Sequence, residues 1–291
     1  TQERKAVTNE YYEEFGTGRK KRRVEMRRRL LFGNHKLGSY TRPIGNISAI
    51  KRITAGDVKK FYKRYYAPQN ISLVVLGGIT KRELMRMIEQ SPFGKKKHGM
   101  RSPLPKIITK IHLPKKQRLT WSVKKELKRK PPQSVIEIYA ALPGTMNERG
   151  IDVACAVLNR PLLRIIRNGG WSYGFQTMYK HFPEAFEVAI TGAFPWSGLG
   201  KIEQLVNQCF YEAQNDHDGI LKTMRAASNS FKIISLSELA IVQHVAEGLG
   251  TSQRNITMSE ERARTRAVTL EAVQDLIRSI NKQRVTTIAY P

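Results

Sequence analysis

The amino-acid sequence predicts an α+β fold of two related domains. The length of 291 residues exceeds what one hydrophobic core usually encloses, so two domains are expected. Hydrophobic residues make up 40% of the chain and aromatic residues 8%, which is enough for packed cores and excludes a mainly disordered protein. A pattern of a helix followed by an apolar strand also occurs twice, at 53–76 and at 268–290.

The two copies of this pattern divide the chain. We expect residues 1–94 to be the C-terminal part of a first domain that lacks its beginning, and residues 107–291 to be the second domain. Between them, residues 95–106 have the sequence KKKHGMRSPLPK, which contains two prolines and shows no apolar periodicity. Such a basic stretch with prolines is typical of a linker.

The first domain begins with two predicted helices. Residues 1–15 contain no helix breaker, and the basic run RKKRRVEMRRRLLF that follows ends at Gly33. Within this run, Val24, Leu31 and also Leu30 are the positions that could dock the helix against a core, while its remaining sides are cationic.

A helix, a strand and a second helix are predicted next. The helix that begins at Thr54 repeats apolar residues at the spacing of one helical face, and the apolar run 71–76 predicts a buried strand. Thr80 and Glu83 have the spacing of a capping box, which predicts that another helix begins there.

The second domain is predicted to contain both strands and helices. We expect strands at 107–113, 119–127, 135–142, 171–179, 185–193 and 285–290. We expect helices at 147–168, 199–214, 219–231, 235–248 and from Thr269.

The charge of the chain is strongly positive, with 51 Lys and Arg against 24 Asp and Glu, which leaves +27. This excess of positive charge favours binding to polyanions such as RNA or to an acidic partner, and it does not indicate a particular fold. The densest basic run supplies the candidate nucleic-acid contacts Arg19, Lys20, Lys21, Arg22 and Arg23. The aromatic and basic run 61–66 could stack on bases, but its helical spacing favours packing in a core.

Cysteine and hydropathy patterns exclude other classes of protein. Two cysteines cannot build a disulfide framework or a cysteine-rich zinc site, and Cys155 lies in an apolar helical run where a buried hydrophobic role is expected. No stretch approaches the roughly 18 apolar residues of a membrane span. We therefore expect a soluble protein, of the bacterial cytoplasm or the mitochondrial matrix.

Several local motifs, taken in order, resemble the M16 (pitrilysin/insulinase) metallopeptidases, and especially the M16B branch that contains the mitochondrial processing peptidases. The matching segments are LFGNH at 31–35 with IG at 44–45, the run from Ile53-Thr54 to LVVLGG at 73–78, and LLRIIRNGGWSY ending at Tyr173. The resemblance implies two related domains of the M16 type (LuxS/MPP-like), in each of which an antiparallel sheet packs against helices.

The resemblance also implies site residues. The family motif E-R-x-x-V-x-x-E around the third zinc ligand is similar to ERKAVTNE at 3–10, which makes Glu10 the zinc ligand and Glu3 the carboxylate that assists catalysis. An Arg and a Tyr six residues apart bind the substrate backbone in the family, and Arg167 and Tyr173 have this spacing.

The HxxEH motif, which supplies the other zinc ligands and the catalytic base, does not occur in this sequence. The six histidines are His35, His98, His112, His181, His217 and His244, and no two of them are four residues apart. We therefore expect that zinc binds only when a segment with HxxEH, or a homologous M16 subunit in a hetero- or homodimer, completes the site.

Two functions are compatible with this pattern. The first is a portion or subunit of an M16B-type zinc metalloendopeptidase that acts on peptide substrates and is inactive alone. The alternative is a non-catalytic M16-like scaffold subunit in a larger assembly, which could contain RNA.

Overall fold

The computed structural model describes residues 2–15, 19–39, 44–92, 94–95, 119–122, 133–172, 174–182, 184–234, 237–252 and 257–289. The chain divides into two compact units. Unit 1 contains Thr1–Asn9, Asn46–Lys106 and Ser228–Ala263, and unit 2 contains Glu10–Gly45, Ile107–Ala227 and Arg264–Pro291. No helix in these described stretches is long and apolar enough to cross a membrane.

Unit 2 is built on a five-stranded sheet. Its strands are β1 (Leu119–Ser122), β2 (Gln133–Pro143), β3 (Phe175–Phe182), β4 (Ala185–Pro195) and β5 (Val285–Ala289). They lie in the order β1-β5-β2-β4-β3; β1 and β5 are parallel, and the other neighbours are antiparallel. The predicted α+β class is therefore confirmed.

Three helices cover one face of this sheet. They are α7 (Glu148–Pro161), α8 (Ile202–Asn215) and α12 (Leu270–Gln283), and the short π-helix Leu162–Arg167 continues α7. Because side chains alternate along a strand, Ile136, Ile138, Ala140 and Leu142 of β2 all enter the main core beneath these helices. A complete core on this face gives the π-helix a rigid support.

The second face of the sheet is covered by α2 (Arg19–Phe32) and α3 (Lys36–Ser39). Leu31, Phe32 and Leu37 pack there against Tyr139 and against alanines of β2 and β4. The predicted docking positions Val24 and Leu31 are 5% and 2% exposed, so this expectation is confirmed.

A buried ion pair joins α2 to the sheet. The Arg28 Nη1 atom lies 2.6 Å from Oε2 of Glu187, and both side chains are only 4% exposed. Arg28 Nε also donates a hydrogen bond to the carbonyl of Leu37, and Arg27 Nη1 donates one to the Tyr139 hydroxyl at 2.9 Å. In the last turns of α2, arginines on the cationic sides of the helix therefore meet carboxylates of the sheet.

Unit 1 is helical in its described residues. It contains α4 (Ile47–Arg52), α5 (Ala55–Tyr65), α6 (Lys81–Gln90) and α10 (Glu238–Ser252), together with the end of α9 (His217–Ile234) and most of α11 (Met258–Arg266). The predicted capping box is present, because Thr80 pairs reciprocally with Glu83, and Thr54 forms another one with Asp57. The helix α1 (Gln2–Phe15) begins in unit 1 and ends in unit 2.

The helix α11 was not expected from the sequence, because MSEERARTR has no apolar stripe. Its start nevertheless has a local signal. The Thr257 backbone amide donates to Glu260 at 2.7 Å and the Glu260 amide donates to the Thr257 hydroxyl, which is another capping box.

The prediction of a buried strand at 71–76 is wrong for this structure. The segment does not pair as a strand with any described residue, and Leu73 is 64% exposed and Val75 44% exposed. The predicted core packing of the aromatic run 61–66 is wrong too, because Phe61 is 58% exposed. Both predictions are wrong for the same physical reason. Among the described residues, no strand pairs with the segment 71–76, and no other element covers the apolar face of α5.

Some further predictions lie outside the described residues. They are nearly all of the linker 95–106, the strand at 107–113, the part of the strand 119–127 after Ser122, and the end of the chain at 290–291. The domain boundaries 1–94, 95–106 and 107–291 accordingly stay a prediction.

We predict that replacing Arg28 by Met destabilises unit 2 by about 3–5 kcal/mol, because the Glu187 carboxylate then stays buried without its partner. Urea unfolding followed by tryptophan fluorescence measures this, since Trp121, Trp171 and Trp196 all belong to unit 2. The matched control is Arg29→Met, an exposed neighbour on α2.

The double variant Arg28→Met/Glu187→Leu is expected to recover most of the lost stability, because both charges are removed together. Equal unfolding midpoints for Arg28→Met and Arg29→Met would contradict this account of how α2 is held.

Candidate functional site

The two glutamates predicted to serve a zinc site lie on α1. Glu3 and Glu10 are both exposed, and seven residues of helix separate them by about 10 Å along the axis. Within unit 1, the Arg4 guanidinium donates to the carbonyl of Ile53, and within unit 2, Tyr11 is buried at 5% exposure. Glu3 and Glu10 therefore each present an exposed carboxylate close to a residue that is anchored in the same unit.

These carboxylates alone do not make a complete metal site. Within the described parts of the chain, no three His, Cys, Asp or Glu side chains lie close enough together to hold a metal ion. The described histidines are dispersed over several elements; His181, for example, stacks on Phe186 and lies 3.5 Å from a Glu148 carboxylate oxygen. The described residues therefore provide only part of a zinc site, in which the Glu10 carboxylate is one ligand of a type that zinc accepts.

Arg167 occupies the last position of the π-helix, and its side chain is exposed. The chain reverses immediately after it: the Gly170 amide donates to the Arg167 carbonyl at 2.9 Å, and the Trp171 amide donates to the Ile166 carbonyl at 3.0 Å. Gly170 has φ of +75°, a left-handed conformation that glycine adopts without the strain of a side chain.

An aromatic contact fixes this turn on the core. The ring of Trp171 stacks on Phe194 with centroids 5.8 Å apart, and Lys201 Nζ lies 5.1 Å from the centre of the same indole. A side chain at Gly198 would clash with both rings, because its Cβ would lie 2.7 Å from each. The backbone at Arg167 is therefore well supported while its guanidinium faces outwards.

Tyr173, the second predicted substrate-binding residue, lies outside the described residues. The structure thus places Arg167 at a rigid turn and leaves the pairing of Arg167 with Tyr173 a prediction. Glu3, Glu10 and Arg167 likewise stay predicted site residues, because no bound group identifies them.

Beside α7 and the π-helix that continues it lies a cleft of about 430 Å³, which the sequence analysis did not predict. Its walls contain two ion pairs, Arg160 with Asp216 at 3.4 Å and Arg164 with Glu212, over an apolar floor of Val157, Pro161 and Ala213. The spacing of Arg160, Arg164 and Arg167 along the chain was the available signal, because arginines at i, i+4 and i+7 lie on one side of a helix.

Both cysteines are excluded as nucleophiles. Burial raises the pKa of the Cys155 thiol to about 12 and that of Cys209 to about 12, so neither is a thiolate at neutral pH. The prediction that Cys155 is a small buried hydrophobic residue is confirmed, since it is 5% exposed within the main core.

The basic segment proposed for nucleic acid forms the first turns of α2. Arg22 is exposed, whereas Lys21 is partly covered, 3.7 Å from Glu25 and 5.9 Å from the centre of the Tyr11 ring. The side chains of Arg19, Lys20 and Arg23 lie outside the described residues, so these contacts stay a prediction.

Comparison with known proteins identifies a family. The profile described as the Peptidase M16 inactive domain matches residues 52–225, which is more than half of the chain. The "Probable zinc protease PqqL" of Haemophilus influenzae is 35% identical over 49 residues, which cover 17% of this chain and 5% of that protein.

Solved structures share the fold over the whole chain. The periplasmic protease PqqL from Escherichia coli matches with a TM-score of 0.70 and 14% identity, over 99% of this chain and 32% of that one. A protease from Helicobacter pylori matches with a TM-score of 0.76 and 14% identity, over 100% of this chain and 71% of that one. This chain thus spans about a third of the length of the Escherichia coli protein.

We predict that Gly170→Ala destabilises unit 2 by about 1–2 kcal/mol, because a Cβ is strained in the left-handed conformation. Gly174→Ala is the matched control, since an added Cβ meets open space at both positions and only Gly170 has the left-handed φ. Urea unfolding of the two variants provides the measurement, and equal stability would show that the turn does not depend on this conformation.

Proposed function

Because this chain belongs to the M16 peptidase family, we propose that it is a portion or subunit of an M16B-type zinc metalloendopeptidase and is not active alone. The observation that supports this most directly is α1, on which both carboxylates of the ERKAVTNE motif are exposed to solvent. In this proposal Glu10 is a zinc ligand and Glu3 is the carboxylate that assists the site. A polypeptide with HxxEH supplies the remaining ligands and the base.

In this proposal, the chain contributes by positioning a carboxylate for the zinc site. Zinc, when bound, supplies Lewis-acid activation for hydrolysis of a peptide bond. Glu10 offers an exposed carboxylate next to Tyr11, which is buried in unit 2, so the backbone that carries this ligand is anchored before the partner arrives. Completion of the site therefore requires the partner to bring its ligands to α1.

Arg167 is proposed to bind the substrate backbone together with Tyr173. Its guanidinium is exposed at the end of a supported π-helix and makes no ion pair with a described residue. A planar guanidinium can donate two hydrogen bonds that converge on one peptide carbonyl oxygen, and it can stabilise negative charge that develops on that oxygen. The phenol of Tyr173 would add a further donor.

The alternative proposal is a non-catalytic scaffold subunit. The matched family profile is itself described as an inactive domain, which is the observation that favours this second function. A scaffold would associate with its partner without zinc, and an RNA-containing assembly would add binding that weakens steeply as salt rises.

Native mass spectrometry of the protein purified from its source without denaturant separates the two functions. A complex with an HxxEH-bearing polypeptide and one zinc ion supports the peptidase, whereas a metal-free chain or one bound to RNA supports the scaffold. A denatured run then identifies the bound polypeptide.

We predict that Glu10→Gln removes zinc and activity from the completed enzyme. The loss of activity should exceed the roughly 100-fold effect that changes outside the ligand set can produce. Glu13→Gln, at another exposed position of α1, is the control and should retain both properties. Full activity with bound zinc in Glu10→Gln would refute the ligand assignment.

We predict that Arg167→Lys lowers kcat/KM by about 10- to 100-fold, because the ammonium lacks the rigid planar group that can direct two N–H donors at one carbonyl oxygen. Arg225→Lys, an exposed arginine on α9, is the control and should not change peptide hydrolysis. Steady-state kinetics on a quenched fluorescent peptide provide the readout. Unchanged kcat/KM in Arg167→Lys would exclude the substrate-binding role.

A further inference from the structure

The cleft beside α7 has two walls of opposite charge. Arg160 and Arg164 line it from α7 and the π-helix, whereas Glu212 and Asp216 line it from the end of α8. Each ion pair joins the two walls, one between Arg160 and Asp216 and the other between Arg164 and Glu212. On each wall the charged residues are four positions apart, so the two ion pairs lie about 6 Å from each other along the helices. These four side chains carry no net charge.

The carboxylates of the cleft are held by contacts outside the ion pairs. Asp216 Oδ1 accepts a hydrogen bond from the Gly219 amide at 2.8 Å, which is typical of the residue that caps the start of a helix, here α9. Glu212 Oε1 accepts a hydrogen bond from Gln208 Nε2 at 3.1 Å. Because neither contact involves an arginine, both carboxylates remain anchored when a ligand changes the pairing of the guanidinium groups.

The arginines of the cleft have donors to spare. The side chains of Arg160 and Asp216 are each 48% exposed and lie 3.4 Å apart, and the side chain of Arg164 is 63% exposed. Ion pairs that water reaches contribute little to stability, so a ligand can rearrange them at small cost. A guanidinium has five N–H donors, and a bidentate carboxylate uses two of them. Each arginine can therefore bind a ligand oxygen as well.

Pro161 leaves a backbone acceptor unused at the floor of the cleft. Proline has no N–H, so Pro161 cannot donate to the carbonyl of Val157, its partner four residues back in a regular helix. The next amide, that of Leu162, donates to the carbonyls of Leu158 and Asn159. Val157 and Pro161 both line the cleft. The Val157 carbonyl is thus without its usual helical donor, and an N–H group of a ligand can take that place.

A zwitterion matches this distribution of charge better than a simple ion does. An anion would meet the carboxylates of Glu212 and Asp216, and a cation would meet the two guanidinium groups. A ligand with one positive and one negative end avoids both repulsions when each end uses a different ion pair.

The separation of the ion pairs selects the length of the ligand. Two extended residues span about 7 Å, which is close to the distance of about 6 Å between the ion pairs, whereas the two charges of a single amino acid are only about half as far apart. The cleft volume of about 430 Å³ lies within the range of small-molecule sites.

We infer that the cleft binds a dipeptide with free termini and apolar side chains. The peptide carboxylate pairs with the guanidinium of Arg164. The ammonium group pairs with Asp216 and donates to the Val157 carbonyl at the other end of the cleft. The side chains of the dipeptide cover the apolar floor of Val157, Pro161 and Ala213. This inference concerns the cleft alone and does not depend on the proposed peptidase function.

Isothermal titration calorimetry of the whole chain with free and blocked forms of one peptide tests the inference. The probes are Leu-Leu, acetyl-Leu-Leu, which lacks the ammonium group, and Leu-Leu amide, which lacks the carboxylate. We expect Leu-Leu to bind at least about tenfold more tightly than either blocked form, because each block leaves one charged end of the cleft unmatched. Free leucine, which cannot reach both ion pairs, should also bind at least about tenfold more weakly. EDTA is present throughout, so that hydrolysis does not remove the probes.

Two substitutions assign the ends of the peptide. Asp216→Asn keeps a good helix cap but removes the charge, so it should weaken binding of Leu-Leu at least about tenfold and leave that of acetyl-Leu-Leu unchanged. Arg164→Met should weaken binding of Leu-Leu by a similar factor and leave that of Leu-Leu amide unchanged. Asp275→Asn and Arg278→Met are the matched controls, since they remove the charges of an exposed ion pair on α12 of the same unit.

Three results would overturn the inference. The first is equal affinity for free and blocked peptides, and the second is no binding of Leu-Leu at millimolar concentration. The third is binding that Asp216→Asn and Arg164→Met weaken no more than the α12 controls do. The comparison of free and blocked peptides uses the unmodified chain, so its outcome does not depend on whether a variant folds.

Discussion

The buried ion pair between Arg28 and Glu187 is the contact on which the architecture of unit 2 depends. A sheet with two apolar faces needs a cover on each, and α7, α8 and α12 cover only one of them. The pair holds the strongly cationic α2 over the other face, where Leu31 and Phe32 complete the packing. The two charges are tolerated in this interior because each is paired with the other, and Arg28 also donates a hydrogen bond to the Leu37 carbonyl.

A sheet covered on both faces gives the proposed substrate-binding residue a firm base. The main core reaches through Ile166 and Phe194 to the turn at Gly170, so the backbone beside Arg167 is fixed although its side chain is exposed. This is the arrangement that binding sites commonly use, with exposed polar groups on a rigid element. The same packing keeps Cys155 and Cys209 protonated, because burial disfavours their thiolates.

Unit 1 differs from unit 2 in what its apolar residues contact. Its helices have good local signals, including reciprocal capping boxes at Thr54 and Thr80, but the apolar faces of α5 and 71–76 are exposed. Capping stabilises a helix through short-range contacts alone, whereas a strand needs a neighbour and an apolar face needs a cover. The difference between the units therefore lies in tertiary packing and not in local signals.

The sequence by itself determined the α+β class, most of the helices and strands, the capping box at Thr80 and the family resemblance, because these follow from periodicity and short motifs. It located Glu10 and Arg167 as candidates for the same reason. Only the tertiary structure decided that Arg27 and Arg28 are buried, that Arg160 and Arg164 line a cleft, and that 71–76 is unpaired among the described residues. These properties depend on contacts between residues distant in the chain, as between positions 28 and 187, and local patterns do not specify such contacts.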